Sequence, residues 1–151
     1  MLKLIGKIWK LLPKKGRTFI TRRFQPKFTV SAAGVVTNDA GQVLLLNHVL
    51  RPYSNWGMPG GFLKAFEQAD AALRREVREE TGIELRDVKL HRVRTFKRHI
   101  EILFTAKGVG EPSVRSREIT ELGWYDIDNL PGDMGIDQHF VLRKALGLDA
   151  S

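Results

Sequence analysis

Residues 61–83 carry the reading that decides the fold: Gly61-Phe62-Leu63-Lys64-Ala65-Phe66-Glu67-Gln68-Ala69-Asp70-Ala71-Ala72-Leu73-Arg74-Arg75-Glu76-Val77-Arg78-Glu79-Glu80-Thr81-Gly82-Ile83. Ala69, Leu73 and Val77 recur at i, i+4 and i+8, which lines them up as one apolar stripe on a helix. Thr81-Gly82 supplies the stop, because glycine accepts the left-handed conformation that ends many helices. The spacing therefore predicts a helix over residues 67–81. On it, Glu76, Glu79 and Glu80 fall within about 100° of the circumference, so three carboxylates project from one face. Glu76 and Glu80 are like charges at i, i+4, a mild penalty in an isolated helix. A divalent cation reverses that sign. Oxygen ligands at this density suit Mg²⁺ or Mn²⁺ rather than zinc or copper. The plain alternative is a solvated face on which Arg75 pairs with Glu79 one turn on.

Upstream, Gly60-Gly61 follows Trp56-Gly57-Met58-Pro59 in a stretch, 49–66, whose prolines and glycines predict a loop. A glycine pair there lets the backbone approach a ligand closely or turn its carbonyls inward. Further out, residues 28–37 and 42–48 read as strands about the turn Asn38-Asp39-Ala40-Gly41, a hairpin pattern. Strands are expected at 87–96, 99–107 and 119–126, a loop at 108–117 and a closing helix at 136–147. Strands on both sides of a central helix, with a second helix at the end, predict an α/β fold with a mixed sheet covered by helices.

From Gly61 to Ile83 the order is glycine, five residues, Glu67, seven residues, Arg75-Glu76-Val77, one residue, Glu79-Glu80, one residue, Gly82-Ile83. This is similar to the signature of the Nudix hydrolases at every fixed position. With the flanking strands, the resemblance extends over residues 28–148 and leaves out an arm at 1–27. It implies an α/β/α sandwich with a mixed β-sheet, and a metal-dependent hydrolase that cleaves a nucleoside diphosphate joined to a further group. It implies that Glu76, Glu79 and Glu80 hold Mg²⁺ or Mn²⁺ with a backbone carbonyl of Gly60 or Gly61. Arg75 would orient the carboxylates, and Glu67 would brace the loop against the helix rather than ligate, a placement that the helix dipole also favours. Phe66 departs from many relatives, which have glycine there; it can stiffen the loop or lend an apolar wall. For the general base, one of the helix glutamates or an acid of the 108–121 stretch is expected, Glu118 ahead of Glu111.

Composition bounds the rest. A chain of 151 residues, 42% hydrophobic and 28% charged, fits one globular domain. It has no cysteine, which excludes a disulfide framework, a zinc–thiolate site and a thiol nucleophile. No apolar run approaches the ~20 residues of a membrane span, and a cytoplasmic enzyme is expected. The net charge of +8 is unevenly spread. Residues 1–28 hold nine Lys or Arg and no acid, while the other 123 residues hold 16 basic against 17 acidic side chains. Within the arm, Lys3, Lys7 and Lys10 form one stripe of a short helix, Leu4, Ile5, Ile8, Trp9, Leu11 and Leu12 fill the other side, and Pro13 should end it. Such a short helix needs a surface to bury its apolar face. The protein's own body or a twin subunit in a homodimer, an anionic membrane, and RNA are the three candidates.

Substrate contacts are less legible. Tyr53 and Trp56 are candidates to stack on a base, although a tryptophan more often packs beneath such a loop. Arg51 and Arg98 are candidate phosphate contacts. His48 and His99 sit in strands and read as structural. No proline lies about fifteen residues past the signature, as the ADP-ribose type would show, and the markers of dinucleoside polyphosphate, coenzyme A and NADH hydrolases are absent. The expected substrate is a nucleotide sugar or a (deoxy)nucleoside triphosphate. The alternatives are an RNA 5′-pyrophosphohydrolase that uses the basic arm, and a non-catalytic or membrane-tethered binding module.

Overall fold

The computed structural model describes residues 9–50 and 54–148. In chain order these form α1 (Lys14–Phe24), β1 (Thr29–Thr37), β2 (Val43–His48), β3 (Trp56–Gly57), β4 (Gly60–Phe62), α2 (Ala69–Thr81), β5 (Glu84–Phe96), β6 (His99–Val109), β7 (Ile119–Tyr125) and α3 (Ile136–Ala145).

The strands make one mixed sheet whose path runs β3-β2-β1-β6-β5. β1 and β6 lie parallel from Thr29↔His99 to Thr37↔Lys107, and β5 returns antiparallel along β6. The other edge of β1 forks. Near its end Thr37 faces Val43 of β2, whereas Ser31, Ala32 and Ala33 face Phe62, Gly61 and Gly60 of β4. The β1–β2 hairpin expected from the sequence is thus real but pairs at its turn only. β2 then leaves β1 and pairs with β7 and β3.

Period-two alternation explains the layers. Leu44 and Leu46 of β2 join Ala32 and Val36 of β1 and Phe104 and Ala106 of β6 under α2, where Ala72, Leu73 and Val77 are fully buried. Val43, Leu45, Val35 and Leu103 point the other way, toward Val141 and Leu142 of α3. The sheet is therefore covered on both faces, the α/β/α arrangement that the sequence predicts. Gly34 makes the α2 layer possible: a β-carbon there would sit 3.0 Å from the Leu73 methyls.

Several expectations need correction. The 49–66 stretch contains the short strands β3 and β4, and β5 begins at Glu84 rather than 87. Pro13 does lie where the first helical stretch of the arm has ended, but a second helix, which the sequence reading did not foresee, starts directly after it. Residues 9–11 are helical, Pro13 caps α1, and the Pro13 carbonyl accepts the Arg17 N–H at 3.1 Å. Proline suits that position because it has no N–H to leave unbonded. The helix expected over residues 2–12 lies mostly outside the described residues.

Candidate active site

The fork in the sheet opens a cavity of about 490 Å³. Its floor is Ser31, Ala32 and Ala33 of β1, and Gly60, Gly61 and Phe62 of β4 form one wall. Glu76 and Glu80 of α2, Glu101 of β6, Glu118, His48 and Met58 complete the lining. Four carboxylates from three parts of the chain thus meet in one volume.

The glycine pair is required by the close approach of two elements. Gly60 has φ +145, and a β-carbon there would run into the Ala32 carbonyl. A β-carbon on Gly61 would lie 2.5 Å from the Glu76 carboxylate. The Gly60 N–H points to Glu80 Oε2 at 3.4 Å, and Glu80 is buried at 7% exposure.

Arg75 organises the loop and the helix. Its Nε and Nη2 donate to Glu67 at 2.7 and 3.0 Å, Nη1 donates to Glu76 at 2.7 Å and Glu79 at 3.3 Å, and Nη2 reaches the Phe62 carbonyl at 3.2 Å. Glu67 also accepts the Lys64 N–H at 2.9 Å. These bonds, the Arg75 guanidinium first, lower the Glu67 carboxyl from its ordinary 4.5 to about 2. The Arg75 guanidinium is in turn held more firmly protonated, chiefly by the hydrogen bonds it donates to Glu67. Glu67 therefore joins the β4–α2 loop to the second turn of α2.

The far end of α2 positions the opposite wall. Gly82 ends the helix at φ +77. The carbonyls of Glu80 and Thr81, which have no partner within the helix, accept the N–H groups of Arg115 at 3.0 Å and Ser113 at 2.9 Å. That pins the 111–118 loop against the helix. Ser116 then accepts the Glu118 N–H at 3.2 Å, and the Glu118 carbonyl accepts the Val49 N–H at 2.9 Å.

The structure brings Gly60, Gly61, Glu76, Glu80 and Glu118 together. It places Glu67 and Arg75 behind them. Glu79 is not in the cavity lining: it is half exposed on the rim, toward Arg75 and, at 3.9 Å, Lys64. Glu111 lines a different depression with Asp39, Arg86 and Trp124. Trp56 is corrected outright. It is 7% exposed in the α3-side core, with its ring edge-on to Tyr125 at 5.2 Å, and offers no face to a base. Arg98 is exposed in the β5–β6 turn, outside the cavity lining. Arg51 and Tyr53 lie outside the described residues. His99 bonds the hydroxyls of Thr29 and Ser31 at 2.8 and 2.9 Å, whereas His48 borders the cavity.

Glu101 escaped the sequence reading. Its Oε1 lies 2.8 Å from Arg94 Nε in an ion pair, and it is the lone acid in His99-Ile100-Glu101-Ile102-Leu103-Phe104, a signal available before the structure. Its partner across the ladder, Ser31, is 70 residues away and could be found only from the parallel β1–β6 register.

The donor set fits a hard divalent cation. It is all oxygen, and the missing β-carbon at Gly61 leaves space directly against Glu76. Among the described residues no three acidic or imidazole side chains close on one point, because Arg75 draws Glu76 and Glu79 to itself.

The NUDIX domain model matches residues 27–144. A MutT-like protein of Streptomyces ambofaciens is 32% identical over 128 residues, covering 83% of this chain and 80% of its own. An ADP-ribose pyrophosphatase of Methanocaldococcus jannaschii is 28% identical over 149 residues, covering 94% and 87%. Among solved structures, a MutT NUDIX hydrolase from Burkholderia pseudomallei superposes with TM-score 0.68 at 27% identity, covering 78% of this chain and 97% of that one. The chain belongs to the NUDIX family, and it is a hydrolase of nucleoside diphosphate derivatives.

Proposed function

We propose that the cavity at the sheet fork hydrolyses the diphosphate linkage of a small nucleotide, either a nucleotide sugar or a (deoxy)nucleoside triphosphate. The observation that carries this reading is the meeting of Glu76, Glu80 and Glu118 with the Gly60–Gly61 backbone in one volume. Glu76 and Glu80, with the Gly60 or Gly61 carbonyl and Glu79 from the rim, would hold Mg²⁺ or Mn²⁺. Such an ion, when bound, neutralises the diphosphate and acidifies a water. The chain's own residues do the rest. Arg75 holds the Glu76 and Glu79 carboxylates, Glu67 keeps Arg75 in place, and the glycine pair lets the substrate reach the backbone. Glu118, on the wall across from α2, is the proposed general base that takes the proton from the attacking water.

The name of the M. jannaschii relative puts ADP-ribose on the test panel, although the chain lacks the proline expected of that type. The experiment is phosphate-coupled turnover with Mg²⁺ or Mn²⁺ against nucleotide sugars, ADP-ribose, dinucleoside polyphosphates, (d)NTPs and a 5′-triphosphate RNA. One preferred small nucleotide is expected. Glu76→Gln and Glu80→Gln should each lower its turnover beyond the ~10–100-fold that loss of a supporting group costs. Glu118→Gln should lower kcat with KM little changed. Full activity in both helix variants would remove the site assignment, and exclusive use of RNA would replace the substrate.

A further inference from the structure

The basic arm is not absorbed by this site, and its chemistry is unusual for a free surface. α1 buries none of its residues. Its side-chain hydrogen bonds are internal, from the Thr18 and Thr21 hydroxyls to the Lys14 and Arg17 carbonyls. Among the described residues every ion pair joins two groups of the body, and none involves Lys10, Lys14, Lys15, Arg17, Arg22, Arg23 or Lys27. Large apolar side chains stand in water beside these cations: Leu11 is 84% exposed, Phe19 71% and Phe24 82%, with Trp9 and Phe28 near 40%.

The two kinds of side chain are sorted. At about 100° per residue, Phe19, Ile20 and Phe24 fall within an arc of roughly 140°. Arg17, Thr21, Lys14, Thr18, Arg22 and Lys15 fill the opposite side. Arg23 alone interrupts the apolar arc, and its long stem lets the charge reach outward while the methylenes stay in apolar surroundings.

We propose that this arm binds an anionic lipid surface, with α1 lying in the interface plane. Phe19, Ile20 and Phe24 then face the acyl chains, and Lys14, Lys15, Arg17 and Arg22 face the headgroup phosphates. Charge complementarity selects the occupant. The arm carries nine cations and no acid, while the body has one more acid than base, so an anionic surface attracts the arm and not the body. Each basic residue near such a surface strengthens binding roughly five-fold. Nucleic acid would match the cations equally well but offers the exposed phenylalanines and Leu11 no apolar medium.

The test is co-sedimentation of the full chain with phosphatidylcholine vesicles, with and without phosphatidylserine, at physiological salt. Binding is expected only to the phosphatidylserine vesicles. Phe19→Ser with Phe24→Ser should weaken it about ten-fold or more, and Arg22→Glu with Arg23→Glu should remove its dependence on phosphatidylserine. None of these side chains is buried, so the unfolding temperature should stay the same and separate surface effects from misfolding. Three outcomes would overturn the proposal. They are no sedimentation with phosphatidylserine, binding that the phenylalanine changes leave intact, and binding of a 5′-triphosphate RNA at the same salt with no binding to vesicles.

Discussion

Phe66 sits at φ +67 with its side chain fully exposed, immediately before the glutamate that anchors the β4–α2 loop. A side chain in that region costs about 1–2 kcal/mol, and nothing packs on the ring to offset it. Glycine relieves the strain but frees the unfolded chain, which returns about 0.4–1 kcal/mol. Phe66→Gly should therefore raise the melting temperature by about 1–3 °C. Phe66→Ala, which keeps the β-carbon, should leave it nearly unchanged. A lower melting temperature in the glycine variant would mean that the ring stabilises the loop. This position shows what sequence reading can and cannot see: the oddity of a phenylalanine before Glu67 was legible, but the sign of φ was not. The same limit applies to Trp56. Its residue type suits both a core and a base-stacking face, and only the packing of Tyr125 against it decides.

At the scale of the element, α2 works as a clamp with Glu67 at one end and Gly82 at the other. The Glu67 carboxyl is lowered to about 2 in the folded protein, so its charged form stabilises the fold. That contribution is fully present above the ordinary value of 4.5 and is lost as pH falls through about 2. Glu67→Gln should therefore be less stable than the parent by a constant margin above pH 4.5, and the margin should shrink as pH is lowered toward 2. Chemical denaturation at a series of pH values measures this, and a margin that does not change across the acid range would deny Glu67 its role. α2 itself was readable because its apolar stripe and its glycine stop are both local signals. β4 was not, since three residues carry no periodicity and their pairing with β1 is set by the approach of the glycine backbone. α1 was less legible: its run of lysine and arginine carries no long apolar stripe, and the helix is seen only in the structure, where it starts directly after Pro13.

At the scale of the whole molecule, the sheet is the platform and its fork is the site. Leu73 is fully buried where α2 packs on β1, and its methyls lie at Gly34. Leu73→Ala should cost about 2–5 kcal/mol, a large part of the ~5–15 kcal/mol that holds a domain together. Urea unfolding checks this, and a loss well below that range would mean that α2 resettles over the gap. The helix with its three glutamates, the strands that flank it, the glycine pair ahead of it and the family they define were all written in local order, because helix period, strand alternation and turn residues act over a few positions. The tertiary structure alone decided which acids share a volume. Glu101 and Ser31 meet through the parallel β1–β6 pairing, Glu118 arrives because its loop satisfies the last carbonyls of α2, and Glu79 turns to the rim because Arg75 lies beside it. Those contacts join residues far apart in the chain, and they form only where backbone groups left open by one element find partners on another.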